Sequence, residues 1–230
     1  MRRVLAISPL APHLGFAFLP AQIVFAHTVN VFAFDSDAAF CVLQSRVHEV
    51  WARCFGSSLK DDLRYTPSDC FETFPFPENW QTRAPVETFG KAYYEFRAAL
   101  MVRTDEGLTK TYNRLHDPDE RDPEIEKLRD LHAAIDRAVL EAYGWSDIPI
   151  ECKFLLDYEI DEEDWGDRKK PWRYRWSDEV QAEVLARLLE LNAERARSEI
   201  RSGAAAEKKR GRKRGAKATP PAAGNEGLFP

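Results

Sequence analysis

Apolar positions follow two different periods along this chain. Up to residue 34 they come in short runs rich in Val, Ile and Phe, at Val4–Ile7, Leu14–Leu19, Gln22–Ala26 and Asn30–Phe34, with Pro or Gly between several of them. That pattern predicts short β-strands. A few strands without an opposing layer leave an apolar face uncovered, so the expectation is the end of a domain rather than a complete one. From residue 35 the spacing changes to three and four. Phe40, Leu43, Val47, Val50, Trp51 and Cys54 predict one helix, capped by Asp35 or Ser36, stopped by Gly56, with Gln44, Arg46 and Glu49 on its polar face.

The segment 63–77 interrupts this periodicity with prolines and aromatics. Proline fixes φ and removes a donor, so the stretch is expected to be an extended strap, neither helix nor central strand, pinned by Phe71, Phe74 and Phe76. Helical spacing returns over 84–103 (Val86, Phe89, Tyr93, Phe96, Leu100), with Gly107 as its breaker. Residues 108–116 read as a short helix or loop. Asp122-Pro123 provides a cap and a first-turn proline for a helix carrying Ile125, Leu128, Leu131, Ile135 and Val139 and ending near Gly144. Residues 146–176 read as irregular, acidic and aromatic. Ser177 can cap a last helix through Val180, Val184, Leu188 and Leu191. From Gly203 onward the composition of Ala, Gly, Lys, Arg and Pro predicts disorder. The fold class expected is α+β, mainly α: short N-terminal strands, a helical part, and a basic tail.

Charge changes this picture at one end. The 230 residues carry a net charge of −5. Seven basic residues (Lys208, Lys209, Arg210, Arg212, Lys213, Arg214, Lys217) lie in the last stretch, which leaves 26 basic and 36 acidic residues elsewhere. An acidic body argues against indiscriminate phosphate binding by the body, while the tail will attract polyanions in a salt-dependent way. Cys41, Cys54, Cys70 and Cys152 form no CxxC and have no paired histidines nearby, which argues against zinc and predicts reduced thiols in a cytoplasm. Met1-Arg2-Arg3 before Val4-Leu5-Ala6-Ile7 imitates a signal peptide, but Pro9, Pro12 and His13 interrupt the run, and a start partway through a domain is the expectation. No apolar stretch approaches the ~20 residues of a membrane helix.

Five ordered stretches resemble one family. They are residues 34–53 (Phe34-Asp35-Ser36 through Val50-Trp51-Ala52-Arg53), 63–77 (Leu63-Arg64-Tyr65 through Phe74-Pro75-Phe76-Pro77), 107–118 (Gly107-Leu108-Thr109-Lys110-Thr111-Tyr112-Asn113-Arg114-Leu115-His116-Asp117-Pro118), Ala142-Tyr143-Gly144-Trp145, and Leu191-Asn192-Ala193-Glu194-Arg195. Together they are similar to the C-terminal region of type IIG restriction–modification enzymes and related adenine-specific DNA methyltransferases of the Eco57I and MmeI kind. The resemblance implies the end of a target-recognition domain over 1–80, a C-terminal helical domain over 81–202, and a disordered tail over 203–230. It also implies double-stranded DNA as a partner. S-adenosylmethionine is expected only in a methyltransferase domain outside this sequence, with no cofactor in this chain.

The sequence departs from the full enzyme pattern. A class I methyltransferase places a glycine-rich turn after a strand to let backbone approach the cofactor. Adenine methylation also uses an Asn/Asp-Pro-Pro-Tyr/Phe element around the extruded base. Neither is present; Pro220-Pro221 follows Thr219 and precedes two alanines. The expectation is a recognition and structural segment that performs no methyl transfer alone, and that a separately encoded methyltransferase could complete. A protein-interaction module is the alternative.

Candidate DNA contacts are Arg64, Tyr65, Lys110, Tyr112 and Arg114, which mix basic and aromatic groups suited to phosphates and base faces, and the tail residues Lys208, Lys209, Arg210, Arg212, Lys213 and Arg214. The first five also fit local packing. Glu151-Cys152-Lys153 matches the E-x-K of metal-dependent nucleases, with Asp136 or Asp147 as an upstream carboxylate, but three residues recur by chance. Trp172-Arg173-Tyr174-Arg175-Trp176 is expected to form an Arg–aromatic ladder against the acidic stretch 157–167 rather than a nucleic-acid surface.

Overall fold

A computed structural model describes residues 1–59, 62–158 and 170–201. The first strand, β1 (Arg3–Ile7), lies in the middle of an antiparallel sheet between β3 (Ala17–Pro20) and β4 (Asn30–Phe32). Both of its edges are paired, with Leu5 opposite Phe18 on one side and Phe32 on the other. Val4, Leu5, Ala6 and Ile7 are all buried. Two expected strands differ. Gln22–Ala26 forms none, because β3 and β4 already occupy both edges of β1; it lies in their connection, with Val24 99% exposed. Leu14 to Phe16 lies outside β3, and a side chain takes the place of a neighbouring strand. The Gln44 amide accepts from Phe16 N at 2.9 Å and donates to Leu14 O at 2.9 Å.

The face expected to be bare is covered by the chain's own helices. Leu5, Ile7, Phe16 and Phe32 share one core with residues of α1 (Asp37–Gln44), α3 (Ala84–Thr104) and α5 (Pro123–Tyr143). The single helix expected over 36–55 is two. Ser45 has ψ 155°, ends α1 and caps α2 (Arg46–Phe55), with its hydroxyl donating to Val42 O and accepting from His48 N. This break lets α1 bury every residue, including Gln44, which the helical pattern placed on a polar face. Ser36 caps α1 as expected, accepting from Ala39 N.

A second antiparallel sheet has the order β2 (Leu10–Ala11), β6 (Asp62–Arg64), β5 (Ser57–Leu59). The strap reading therefore fails at its start: Leu63 and Arg64 sit in the central strand, because the prolines begin only at 67. Pro67–Phe71 then forms a single wide π-helical turn, which tolerates proline in its first position. The aromatics do pin the remainder of the strap. Phe71 meets Phe32 at 4.7 Å between ring centroids, Phe74 meets Phe76 at 4.9 Å, and Phe76 stacks on Trp80 at 5.5 Å.

The helical part follows the sequence closely. α3 ends at Asp105, which takes a left-handed φ of 53°, two residues before Gly107. α4 (Leu108–Leu115) comes directly after. Asp122 caps α5, accepting from Glu124 N at 2.9 Å, and Gly144 ends it with φ 80°. The stretch expected to be irregular contains a hairpin, β7 (Lys153–Leu156) with β8 (Trp172–Arg175). α6 (Asp178–Arg201) closes the described chain, burying Val184 and Leu188. Residues 1–189 form one compact unit, and the described residues 190–201 belong to a second. Within the first unit the core is continuous across residue 80: Cys41 and Phe40 before it and Val86, Tyr93 and Leu100 after it belong to the same cluster. All four cysteines are free. Among the described residues, no helix is long and apolar enough to cross a membrane.

Candidate nucleic-acid interface

The five candidate contacts in the body are placed very differently. Arg64 is exposed on β6. Tyr65, next to it, is 1% exposed: its hydroxyl is 2.9 Å from His48 Nε2, and its ring meets Phe16 edge-on at 5.7 Å. Lys110 is open to solvent on α4, 3.2 Å from Glu106 one turn earlier. Tyr112 is buried, bonded to Arg97 Nη1 at 2.7 Å and Tyr93 Oη at 3.0 Å. Arg114 is enclosed by three carboxylates, Glu120 and Asp122 at 2.7 Å and Glu106 at 3.3 Å, and its hydrogen bond to Glu120 above all holds it strongly protonated.

Tyr65 and Tyr112 are both packed in the core, which agrees with the local-packing reading of these two residues. Arg114 likewise has its charge matched three times over. Arg64 and Lys110 are the two whose cationic ends reach solvent. The tail residues Lys208, Lys209, Arg210, Arg212, Lys213 and Arg214 lie outside the described residues.

The Arg–aromatic ladder forms in part. Arg173 Nε contacts Asp157 at 3.0 Å, and the Tyr174 ring lies within reach of Arg129 (5.3 Å) and Arg46 (5.6 Å). Most of the acidic stretch, residues 159–169, lies outside the described residues. The nuclease reading loses its carboxylates. Asp136 is fully buried and paired with Arg46 at 2.6 Å, Asp147 is held by both Arg187 nitrogens at 2.9 and 2.6 Å, and Glu151 is exposed. Among the described residues no group of three or more metal-ligating side chains assembles.

The hairpin and α2 line a polar cavity of about 200 Å³, into which Arg46, Glu49 and Arg53 face from α2 and Arg173, Arg175 and Trp176 from the hairpin side. A neighbouring cavity of about 280 Å³ shares His116, Asp157 and Arg173 with it and adds His13 and Asn113. A chain of contacts runs through both. Asn113 Oδ1 is 2.7 Å from His13 Nε2, and His13 Nδ1 is 2.5 Å from Arg173 Nη1, whose other nitrogen donates to Pro12 O at 2.6 Å. The rings of His13 and His116 stack at 5.0 Å. Burial, then Arg173, lowers the His13 pKa to about 4 and drives His116 well below its ordinary value. Burial opposes ionisation of Glu49, but Arg53 and Arg173 outweigh it and hold the carboxyl at about 2.

Sequence reasoning missed Arg46, Arg97 and Arg173 as buried charges. Arg97 lies one position beyond Phe96 on the stripe, and its burial was signalled only by tyrosines that converge from α3 and α4. Arg173 was read only as part of a local cluster, whereas its partners Pro12 and His13 lie 160 residues away.

Residues 6–78 match the MmeI target recognition domain. The match contains the end of β1, the strands β2 to β6, α1, α2 and the aromatic strap, and among the candidate contacts it takes in Arg64 and Tyr65. The solved structure of the Type IIL restriction–modification enzyme MmeI in complex with DNA has the same fold over more than that: the likeness covers 84% of this chain with a TM-score of 0.51 at 19% identity. This chain spans 21% of the length of that protein. No curated protein matches the chain.

Proposed function

We propose that this chain is a DNA-recognition and structural segment of an MmeI-like, adenine-specific restriction–modification methyltransferase, acting in the cytoplasm together with a methyltransferase domain that holds S-adenosylmethionine. The single observation that carries this reading is the match of residues 6–78 to the MmeI target recognition domain. Residues 1–80 would supply the end of the recognition module, residues 81–202 the helical part that supports it, and the basic tail a sequence-independent attraction to phosphates. Arg64 and Lys110, whose charged ends reach solvent, are the body residues best placed to contact the DNA backbone.

Fluorescence anisotropy with a labelled duplex tests the proposal. A full-length variant with the seven tail Lys and Arg residues changed to Gln should still bind DNA at low salt, more weakly than the parent. Complete loss of binding in that variant would leave only the tail's charge and remove the recognition role from the body.

A further inference from the structure

Charge is missing from one part of this chain. Residues 4–34 contain no Asp, Glu, Lys or Arg, in a protein of which 31% is charged. Much of that stretch is strand or core. The connection between β3 and β4 is neither: Gln22, Ile23 and Val24 are exposed in a row, Ile23 at 48% and Val24 at 99%. The connection is tied at both ends. Ala21 N–H donates to Arg2 O at 3.1 Å, Val29 N–H to Ala26 O at 3.2 Å, and the Asn30 amide to Tyr65 O at 2.9 Å. The last of these bonds sets the end of the loop one residue from Arg64, which is exposed. We propose that Gln22, Ile23 and Val24 form a tip that enters the major groove of duplex DNA and reads an A·T pair, with Val24 against the thymine methyl and Gln22 against the adenine edge. This rests on the reading of the chain as a DNA-recognition segment.

Contacts to phosphates position a protein on DNA, and contacts to base edges choose the sequence. Arg64 suits the first task. The second needs side chains that fit the groove floor. The apolar group displayed there is the thymine C5-methyl, and its paired adenine offers N7 as acceptor and N6 as donor. Val24 and Ile23 present aliphatic surface for the methyl. The Gln22 carboxamide both donates and accepts, as the adenine edge requires. Charge agrees with this occupant. Outside the tail the protein is acidic, and carboxylates beside a groove would repel its phosphates. The tip carries none, and the sequence around it stays uncharged back to Val4 and on to Phe34. Apolar surface held in water also gains by being covered. The nearness of the loop's end to Arg64 makes a polyanion the cover.

The test removes the methyl from each side in turn. The full chain first selects its preferred duplexes from a pool with a randomised centre. A selected duplex is then remade with uracil at one thymine position after another, which deletes only the methyl, and binding is followed by fluorescence anisotropy. At one or two positions uracil should weaken binding about fourfold, the worth of one buried methyl. Val24→Ser should bind the thymine duplex more weakly than the parent and be indifferent to uracil at those positions. Its salt slope should equal the parent's, since no charge is lost. Its thermal midpoint should also be unchanged, because the Val24 side chain lies in solvent. Gln22→Ala should lower the preference for adenine at the same pair about tenfold. Parent-like binding by Val24→Ser, or an equal response to uracil in parent and variant, overturns the proposal. So does sedimentation showing that the parent self-associates and Val24→Ser does not, which would give the tip to a second copy of the chain. A pool from which the parent selects no sequence refutes the recognition reading and this one with it. A selected sequence that ignores Val24→Ser refutes only the part given to the loop.

Discussion

Asp136 on α5 closes onto Arg46 at the start of α2, 90 residues earlier. One carboxylate oxygen accepts the Arg46 backbone N–H at 2.8 Å and the other its guanidinium at 2.6 Å, with the two side chains 0% and 5% exposed. The carboxylate thus stands in for an α2 cap and neutralises a buried cation, tying the region matched to the recognition domain to the helices beyond it.

Asp136→Asn keeps the size of the side chain and removes its charge. Arg46 is then a buried cation without a counter-charge, and the chain should lose about 3–5 kcal/mol of stability. Denaturant unfolding measures this. Replacing both residues together, Arg46→Met with Asp136→Leu, should recover most of the loss, since no charge then remains in the interior. A double variant as unstable as Asp136→Asn would show that the pair's geometry, rather than its charge balance, is required.

Acid should unfold this protein through its histidines. Burial lowers His13 to about 4 and His48 to about 3, and His116 and His132 fall well below their ordinary value, again chiefly by burial. An unfolded chain takes up these protons near pH 6.5, while the folded chain takes up the first at about 4. Between those values the unfolded state binds more protons, so stability falls with falling pH, by about 1.4 kcal/mol per pH unit for each histidine. Stability measured at intervals from pH 7 to 4 should drop steeply. A flat profile would contradict the burial of these rings.

Gly90 is required by the crossing of α1 and α3. A Cβ there would lie 2.8 Å from Cys41 Cβ and closer still to the Asp37 carbonyl oxygen, so backbone would have to move. Gly90→Ala should therefore destabilise the chain by about 1–3 kcal/mol despite alanine's better helix propensity. Calorimetry that finds the variant more stable would mean that the helices separate easily.

On DNA, Arg64→Ala and Lys110→Ala should each weaken duplex binding and reduce the salt slope by about one. Tyr65→Phe should leave binding unchanged while lowering stability by about 1 kcal/mol, through the lost bond to His48. The opposite order of effects on binding would place the DNA near the aromatic core instead of the charged surface.

The helices were legible because their signals are local. Asp122-Pro123 and Gly144 mark the ends of α5, and apolar spacing gives its buried face. Relationships across long separations escaped. Ser45 looks like any polar residue within a helix, and only the packing around α1 makes it an end and a beginning. Leu63 and Arg64 precede the prolines by a few residues, yet their strand partners Leu10 and Ala11 are far upstream. Of the candidate contacts, spacing and composition could name Tyr65 and Tyr112 but not their exposure. The same aromatic–basic mixture that suits a nucleic-acid surface also suits a core with buried arginines, as Arg97 and its tyrosines demonstrate.

The glycine contact between α1 and α3 also limits how such a module can be exchanged. A transplant cut at residue 78 would carry one half of an interlocked pair and abandon the other, leaving Cys41 and Asp37 to face whatever surface the host supplies. The smallest portable cassette therefore extends through α5, which also brings the Asp136 carboxylate to Arg46, and any shorter fragment would arrive with its scaffold broken.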